Sequence, residues 1–158
     1  MTYSAGIIGS TGRGDYGHSL DTAYKDISEV DVVAVADTDL EAAKKAAERN
    51  GAQRVYADYR EMIEKENLDL INVCPRRPGE RLEMVTACAE SGVKGIFTEK
   101  PFAGTLADAD TMLAACERNG VRIVVGHQKR VSAPDRHAME LIEQGVIGEI
   151  QVIRSRGK

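Results

Sequence analysis

A glycine-rich stretch near the start of the chain has the composition of a phosphate-binding loop. Residues 9–17 read GSTGRGDYG and come directly after an apolar run, AGII at 5–8. Glycines in that position let backbone N–H groups and the N-terminus of a following helix approach a pyrophosphate without obstruction from side chains. The spacing Gly-x-Gly-x-x-Gly occurs at 12–17, whereas the tight turn after the strand is better placed at Gly9. We leave open which glycines touch the phosphates and predict dinucleotide contacts from the loop residues Gly9, Thr11, Gly12, Arg13 and Gly14.

Other kinds of phosphate-binding loop do not fit this sequence. The chain has no Gly-Lys-Ser/Thr sequence, so a Walker A loop is excluded. A kinase-type glycine loop would need flanking antiparallel strands and a Val-Ala-Ile-Lys strand, which are missing. A glycine-rich turn without any ligand remains the alternative until the surrounding elements are considered.

The second apolar run ends at a carboxylate. Asp37 follows VVAVA at 32–36 and lies 20 positions after Gly17. An acid at the end of the second strand can accept hydrogen bonds from the adenosine ribose hydroxyls of NAD, and the alternative is an aspartate that caps the next helix. We predict that Thr38, three residues before Glu41, supplies the helix cap as part of a capping box, which favours the ribose role for Asp37.

The residues around this carboxylate favour NAD over NADP. Neither Thr38 nor Asp39 offers a favourable contact to the 2′-phosphate that distinguishes NADP. Arg13 is the nearby cation that could weaken this preference. We therefore expect NAD as the cofactor and NADP only as a second choice.

Short apolar runs alternate with helical patterns along the chain. Such runs are typical of parallel strands that are buried on both faces, and they occupy residues 5–8, 32–36, 70–73, 95–98 and 122–125. Caps and apolar spacing predict helices over about 38–50, 58–66, 80–90, 106–118 and 134–144. This alternation predicts an α/β fold, a doubly wound parallel sheet of the Rossmann type with helices on both faces.

The last part of the chain has a different pattern. The helix at 134–144 is followed by residues 147–154, which alternate apolar and polar side chains as a half-buried strand does. Such a strand needs a neighbouring sheet to cover its apolar side, and little chain remains to build one. We predict a dinucleotide-binding domain over 1–125, followed over 126–158 by a connecting segment, a helix and the first strand of a truncated second domain.

Composition and charge indicate a folded protein with a small acidic excess. The 158 residues carry 21 Lys and Arg against 25 Asp and Glu, a net charge of −4, and 42% are hydrophobic. The mild acidity argues against nucleic acid as a partner. No apolar stretch approaches the ~20 residues that a bilayer requires, and residues 1–4 lack a basic region, so neither a membrane nor secretion is expected.

Cysteines and histidines indicate neither disulfides nor a metal. Cys74, Cys88 and Cys116 are widely spaced, odd in number and without a CxxC pair, which is typical of reduced thiols in a cytoplasmic protein. The histidines do not join a ligand-spaced cluster, so no metal site is expected. His127 follows the fifth run and could face the ligand cleft, and a catalytic role for it stays open.

Two motifs beyond the glycine loop resemble those of a known family. Glu99-Lys100-Pro101 after the fourth run and residues 126–130 (GHQKR) after the fifth are similar to the Gfo/Idh/MocA family, named for glucose–fructose oxidoreductase and inositol dehydrogenase. Residues 58–62 and 141–150 match as well, so the resemblance covers nearly the whole chain. It implies an NAD(P)-dependent oxidoreductase that acts on sugars, cyclitols or related polyols. In this family a second domain supplies the substrate pocket, the usual acid/base pair and most of the oligomer interface, and it is absent from these residues.

The resemblance also implies roles for particular residues. Lys100 maps onto the lysine near the nicotinamide and the substrate hydroxyl, where an ammonium can stabilise a developing alkoxide and take part in proton transfer. Glu99 maps onto the acid of the motif, which contacts the cofactor or orients Lys100. Cys74 and Pro75 lie at the end of the third run, where the backbone of the family approaches the cofactor, and the Cys74 side chain is expected to be buried packing.

The chain departs from the family pattern at two places. Many relatives place a histidine shortly after the residue that matches Pro75, where this chain has RRPGE at 76–80. Relatives also often carry an aromatic residue after the position of Arg130, where Val131 stands. These differences affect the expected rim of the cofactor site and leave the expected fold unchanged.

Three hypotheses about the isolated chain follow. The first is a domain that binds NAD without turnover, because the substrate side of the site is missing. The second is a non-catalytic Rossmann module that binds a nucleotide or docks a partner, for which Lys100 would be unnecessary. The third is a chain that binds nothing, because the missing domain leaves the cleft too open.

Overall fold

Six parallel strands form a single sheet. The computed structural model describes residues 2–154 and 156. The strands are β1 (Tyr3–Ile8), β2 (Val30–Ala36), β3 (Arg54–Tyr56), β4 (Leu70–Val73), β5 (Gly95–Thr98) and β6 (Arg122–Val125). Their order in the sheet is β3-β2-β1-β4-β5-β6, and every neighbouring pair is parallel. This is the Rossmann strand order, so the predicted doubly wound parallel sheet is confirmed.

From β2 onward, four α-helices connect successive strands as the sequence predicts, and a fifth follows the last strand in the chain. They are α1 (Leu40–Asn50), α2 (Tyr59–Lys65), α3 (Arg81–Glu90), α4 (Leu106–Arg118) and α5 (Ala133–Glu143). Local capping fixes their starts, as where the Asp58 carboxylate accepts the Arg60 N–H at 2.8 Å at α2 and Thr105 accepts the Asp108 N–H at 3.1 Å at α4. The predicted helices are confirmed to within about two residues at each end.

Apolar side chains fill both faces of the sheet, because residues of a strand point alternately to the two sides. Ile7 and Val35 pack with Ala43 and Ala46 of α1 on one face. On the other face, apolar residues of the strands pack against apolar residues of α2, α3 and α4. The strand residues include Ile8, Ala36 and Ile71, and the helix residues include Met62, Val85 and Met112. The two buried faces hold the carboxyl ends of the central strands in fixed positions.

The first crossover departs from the prediction of a helix after the glycine loop. Between β1 and β2 the described backbone contains only a 3₁₀ turn, Leu20–Thr22. Asp15, Gly17 and Ser19 have φ values of 51°, 65° and 60°, which lie in the left-handed region and prevent a right-handed helix from starting there. A helix N-terminus is therefore not available to a pyrophosphate at this loop, and that part of the sequence prediction is wrong.

Two smaller predictions are also corrected. Asp39, rather than Thr38, caps α1, and its carboxylate accepts the N–H groups of Glu41 at 3.0 Å and Ala42 at 3.1 Å. The short strand β3 was not predicted at all, because three residues are too few to show a period.

The chain divides into two compact units, Met1–Gly126 and His127–Lys158. Within the second unit, α5 begins after Ser132, whose hydroxyl accepts the Asp135 N–H at 3.4 Å. The strand predicted over 147–154 does not form in the described part of this stretch, because no second strand is present there to share its hydrogen bonds. The assignment of residues 126–158 to a second domain stays a prediction.

No helix in the described part of the chain is both long enough and apolar enough to cross a membrane.

Candidate functional site

The carboxyl ends of the central strands bring most of the predicted site residues to one edge of the sheet. Gly9 follows β1, Asp37 follows β2, Cys74 follows β4 and Glu99 follows β5. The strands β2 and β3 are added on one side of β1, and β4 to β6 are added on its other side, so the order of strands reverses between β1 and β4. Parallel α/β sheets bind ligands at such a reversal, outside the carboxyl ends of the strands.

Asp37 joins the glycine loop to the start of α1. Its carboxylate is only 2% exposed and accepts hydrogen bonds from the Thr11 hydroxyl at 2.8 Å, the Thr11 N–H at 3.1 Å and the Asp39 N–H at 3.0 Å. The sequence predicted Asp37 and Thr11 as separate cofactor contacts and did not predict that they bind each other. The loop is thereby fixed against the end of β2.

Gly9 is covered by the ring of Tyr16. A Cβ atom at Gly9 would lie 2.5 Å from the Tyr16 ring and 2.7 Å from Asp37 Oδ2, so only glycine fits. The Arg49 guanidinium of α1 lies over the Tyr16 ring, 5.2 Å from the ring centroid. The Nε of Arg49 donates to the Asp21 carboxylate at 2.6 Å. Burial and the negative charge of Asp37 raise the pKa of Tyr16 above its usual value. The loop is therefore packed on a fixed aromatic side chain that the sequence analysis did not single out.

Arg13 and Ser10 reach from the loop to Glu80. An Arg13 guanidinium nitrogen forms an ion pair with Glu80 Oε1, and the Ser10 hydroxyl donates to Glu80 Oε2 at 3.2 Å. Glu80 ends the short 3₁₀ turn Pro78–Glu80 that precedes α3. The segment after β4 thus supplies an acidic partner to the glycine loop.

A cleft of about 400 Å³ opens beside these contacts. It is lined by the loop, by the ends of β1 and β2, and by residues of α2 and α3, among them Gly9, Arg13, Asp37, Thr38, Tyr59, Glu80 and Met84. The Tyr59 hydroxyl is buried and finds no hydrogen-bond partner in the described residues. Burial raises the pKa of Tyr59 to about 12, so the hydroxyl remains a donor at neutral pH. A cleft that combines the Asp37 carboxylate, the Tyr59 hydroxyl donor and apolar side chains such as Met84 fits the adenosine half of a dinucleotide.

The second half of the loop lies across the ends of β4 and β5. The Arg76 N–H donates to the Gly14 carbonyl at 3.4 Å, and a Cβ at Gly14 would collide with the Arg76 backbone nitrogen. A Cβ at Gly17 would lie 2.5 Å from Glu99 Cγ and 2.6 Å from the Cys74 carbonyl oxygen. Gly14 and Gly17 are therefore required for close packing as well as for their positive φ angles.

Glu99 is fully buried beneath this part of the loop. One carboxylate oxygen accepts the His18 N–H at 2.9 Å and lies against His18 Nδ1, and the other accepts the Lys100 N–H at 2.5 Å. Burial alone would raise the pKa of Glu99, but the hydrogen bonds from His18 and from the Lys100 N–H outweigh it and hold the pKa below its usual value. Glu99 is an ionised anchor for the loop and for the backbone of Lys100.

Arg81 is a site residue that the sequence analysis missed. Its side chain is 1% exposed, and its guanidinium donates to the carbonyls of Pro75, Pro101 and Phe102, the last at 3.2 Å. Burial lowers the pKa of Arg81, and the negative charge of Glu99 opposes that shift. The segments that follow β4 and β5 are thus held together by one buried cation.

A periodic pattern in the sequence could have identified Arg81. It shares the buried face of α3 with Met84, Val85 and Cys88, three, four and seven positions further on. An arginine at the first position of such an apolar stripe must find polar partners when it is buried. The sequence predicted a helix over about 80–90 without a role for this arginine.

The remaining predicted residues differ in what they can offer. Lys100 is half-buried beside Glu99, and its ammonium group forms no ion pair within the described residues. Cys74 is fully buried, and burial with the charges of Asp21 and Glu99 raises its pKa well above the usual value, so its thiol is suited to packing and not to chemistry. The Pro75 carbonyl is already bound by Arg81. His127 is exposed at the start of the second unit.

The strand order, the glycine loop after β1 and the buried acid after β2 together define a Rossmann-type dinucleotide-binding fold. The model of the Gfo/Idh/MocA oxidoreductases, described as an oxidoreductase family with an NAD-binding Rossmann fold, matches residues 3–127. The chain belongs to this family, as the Glu99-Lys100-Pro101 motif predicts.

Individual relatives of the chain are named as dehydrogenases. The D-apiose dehydrogenase of Paraburkholderia graminis is 36% identical over 126 residues, which are 80% of this chain and 33% of that protein. The myo-inositol 2-dehydrogenase of Thermotoga maritima is 31% identical over 147 residues, 93% of this chain and 43% of that protein. The WlbA dehydrogenase from Bordetella pertussis, solved in complex with NADH and UDP-GlcNAcA, is 28% identical with a TM-score of 0.76, over 94% of this chain and 44% of that one.

The chain therefore spans less than half of the length of these relatives.

Proposed function

We propose that this chain is the cofactor-binding part of an NAD-dependent oxidoreductase that acts on a sugar, a cyclitol or a related polyol. The observation that carries the proposal is the Asp37 carboxylate, which lines an open cleft at the end of β2 directly beside the glycine loop. The relatives named D-apiose dehydrogenase and myo-inositol 2-dehydrogenase support the substrate class.

The residues of the cleft would hold the adenosine half of NAD. Asp37 would accept hydrogen bonds from the ribose hydroxyls, in addition to those from Thr11 and Asp39, because a carboxylate has about four acceptor positions. Gly9, Gly12 and Gly14 would present backbone near the phosphates, and the exposed Arg13 would contribute positive charge. The loop provides this contact without a helix N-terminus.

Lys100 would act at the reacting hydroxyl. When NAD is bound, its nicotinamide ring accepts or returns the hydride of the substrate carbon. The Lys100 ammonium would donate a hydrogen bond to the substrate oxygen and stabilise the negative charge that develops on that oxygen. Glu99 would position Lys100 by accepting its backbone N–H, and Arg81 would fix the following segment through the Pro101 and Phe102 carbonyls.

We infer that these residues alone bind NAD without turnover, since the matched relatives are more than twice as long. We also propose a small polyol as the other partner in the whole protein, no nucleic acid, and a location in the cytoplasm. The free, buried state of Cys74, Cys88 and Cys116 supports a reducing compartment.

Calorimetric titration of the purified chain with NAD tests this proposal. We expect binding by the wild-type chain and at least a tenfold loss in Asp37→Asn, because the amide cannot replace a charged acceptor for both ribose hydroxyls. Asp31→Asn is the matched control, since Asp31 is exposed at the opposite end of the same strand. Circular dichroism would verify that both variants keep the fold.

Two results would overturn the assignment. No binding of NAD by the wild-type chain would contradict the proposed function and favour a module with another ligand or partner. Equal NAD affinity in wild type and Asp37→Asn would contradict the role of Asp37.

A further inference from the structure

Both arginines of the cleft are paired with carboxylates. Arg13 forms its ion pair with Glu80, and Arg60 lies 3.0 Å from Glu83 and 3.8 Å from Asp58. The cleft lining holds two cations, Arg13 and Arg60, and four carboxylates, Asp37, Asp58, Glu80 and Glu83, of which all but Asp37 lie in ion pairs with these arginines. No arginine of the cleft is left without an acidic partner in the described part of the chain.

The pair formed by Arg13 and Glu80 is the one next to the ribose position. Arg13 lies in the loop segment that Thr11 anchors to Asp37, and Glu80 also accepts the Ser10 hydroxyl at 3.2 Å. The Arg13 side chain is 67% exposed and that of Glu80 32%, so the guanidinium is free to turn if its partner is removed. Glu80 therefore holds Arg13, the cation of loop residues 9–17, in its present position.

We propose that Glu80 is a specificity-determining residue, which disfavours NADP by holding Arg13 in an ion pair and by adding its own charge to the cleft. This inference rests on the proposed function, because it requires adenosine to bind in the cleft. A 2′-phosphate on the ribose would approach the carboxylates of Asp37 and Glu80 while the nearest guanidinium is already engaged. The unphosphorylated ribose of NAD meets no such repulsion.

Removal of the Glu80 charge has two effects that act in the same direction. The repulsion of a 2′-phosphate decreases, and the Arg13 guanidinium becomes available for the paired hydrogen bonds that arginine makes with phosphates. An exposed ion pair contributes little free energy, so we expect only a moderate change in the ratio of the two affinities. We expect Glu80→Gln to improve the affinity for a 2′-phosphorylated ligand relative to its unphosphorylated counterpart by about three- to tenfold.

Titration with adenosine 2′,5′-bisphosphate and 5′-AMP isolates the adenosine position, and NAD and NADP extend the test to the whole cofactor. The proteins are the full 158-residue wild type, Glu80→Gln, Arg13→Ala, the double variant, and Glu117→Gln as a control for removing an exposed carboxylate from a distant helix. We expect the ratio of the two affinities to shift in Glu80→Gln and to shift by a smaller amount in the double variant, which lacks the Glu80 charge but has no guanidinium to bind the 2′-phosphate. Glu117→Gln should leave the ratio unchanged, and Arg13→Ala alone should not move it toward the 2′-phosphorylated ligand, because the Glu80 charge remains.

The outcomes separate this inference from the function on which it rests. If wild type binds NAD but the ratio is the same in Glu80→Gln, the inference alone is wrong. If the shift in the double variant is as large as in Glu80→Gln, Glu80 acts only through its own charge and the role of Arg13 is wrong. If wild type binds neither NAD nor 5′-AMP, the proposed function fails and the inference fails with it.

Discussion

The His18 N–H donates to Glu99 Oε1 at 2.9 Å, and this contact joins the glycine loop after β1 to the first residue of the Glu-Lys-Pro motif after β5. The two segments are 81 positions apart in the chain, so the sequence gives no sign of the connection. Because Glu99 also accepts the Lys100 N–H, any displacement of the loop would be transmitted to the backbone of Lys100. The glycine loop and the backbone of Lys100 are therefore parts of one hydrogen-bonded network.

Glu99→Gln should destabilise the chain in a pH-dependent way. The pKa of Glu99 is lower in the folded chain than the usual 4.5, so its ionised form stabilises the fold above the unfolded pKa, and this contribution is lost as the pH falls through the folded pKa. We expect Glu99→Gln to lower the free energy of unfolding by about 2 kcal/mol at pH 7, and by less as the pH falls below 4.5. Urea denaturation between pH 3 and pH 7 measures the difference.

Glu117→Gln serves as the control for this experiment, because Glu117 is exposed on α4. It should change the free energy of unfolding by no more than about 0.5 kcal/mol at any pH. A deficit in Glu99→Gln that stays constant from pH 7 to pH 3 would show that the ionised form of Glu99 is not what stabilises the fold.

Replacement of Arg81 should be costly, because three carbonyls lose their partner at once. Arg81→Met fills a similar volume but leaves the carbonyls of Pro75, Pro101 and Phe102 without this donor and removes a buried cation that interacts with the charge of Glu99. We expect the free energy of unfolding to fall by about 3 kcal/mol. Arg118→Met is the matched control, since Arg118 is exposed and lies 4.0 Å from its partner Glu90.

Equal stability of Arg81→Met and Arg118→Met in urea denaturation would contradict the structural role of Arg81. A second readout addresses the site itself. If Arg81 positions the segments after β4 and β5, Arg81→Met should also weaken NAD binding at temperatures where the variant remains folded.

Elements that depend on local pattern were predictable, and those that depend on distant contacts were not. α4 follows directly from Thr105 as a cap and from its apolar spacing, and β5 follows from its run of apolar residues. The absence of a helix after the glycine loop depends instead on the Tyr16 ring against Gly9 and on Gly17 against Glu99, which no local pattern reveals. The Glu-Lys-Pro motif identified the family, but the partners of Glu99 became known only from the fold.

The same reasoning applies to residues 147–154. Their alternation of apolar and polar side chains is the pattern of a strand, yet a strand exists only where another strand accepts and donates its backbone hydrogen bonds. Among the described residues of the second unit no such partner is present, and the pattern alone does not produce the structure. The strand is absent from the described residues because strand pairing needs a partner that this segment does not itself supply, and its assignment to the start of a second domain stays a prediction.

The three thiols should react slowly in the folded chain. Burial raises the pKa of Cys74, Cys88 and Cys116, so little thiolate is present at pH 8, and none of the sulfurs is accessible. We expect labelling by an aromatic disulfide reagent to be at least a hundredfold slower in the native chain than in 6 M guanidinium chloride, where all three react. Rapid labelling of one cysteine under native conditions would contradict the buried position assigned to it.

Two glycines of the same loop separate the cost of a positive φ angle from the cost of close packing. Gly12 and Gly17 have φ values of 77° and 65°, but a Cβ at Gly12 would meet nothing within 4 Å, whereas a Cβ at Gly17 would collide with Glu99 and the Cys74 carbonyl. Gly12→Ala should lower the free energy of unfolding by about 1 kcal/mol, the cost of the left-handed conformation. Gly17→Ala should lower it by about 3 kcal/mol, because the loop must also move away from β4 and β5.

The loop movement expected in Gly17→Ala should distinguish this variant from Gly12→Ala in NAD binding as well as in stability. Since Gly17 precedes His18, the shift in Gly17→Ala would pull His18 away from Glu99 and release the Lys100 N–H from its fixed position. Gly12→Ala leaves those contacts intact and provides the matched comparison. Urea denaturation and NAD titration of both variants measure the two effects, and equal losses in the two would refute the close packing of the loop on Glu99.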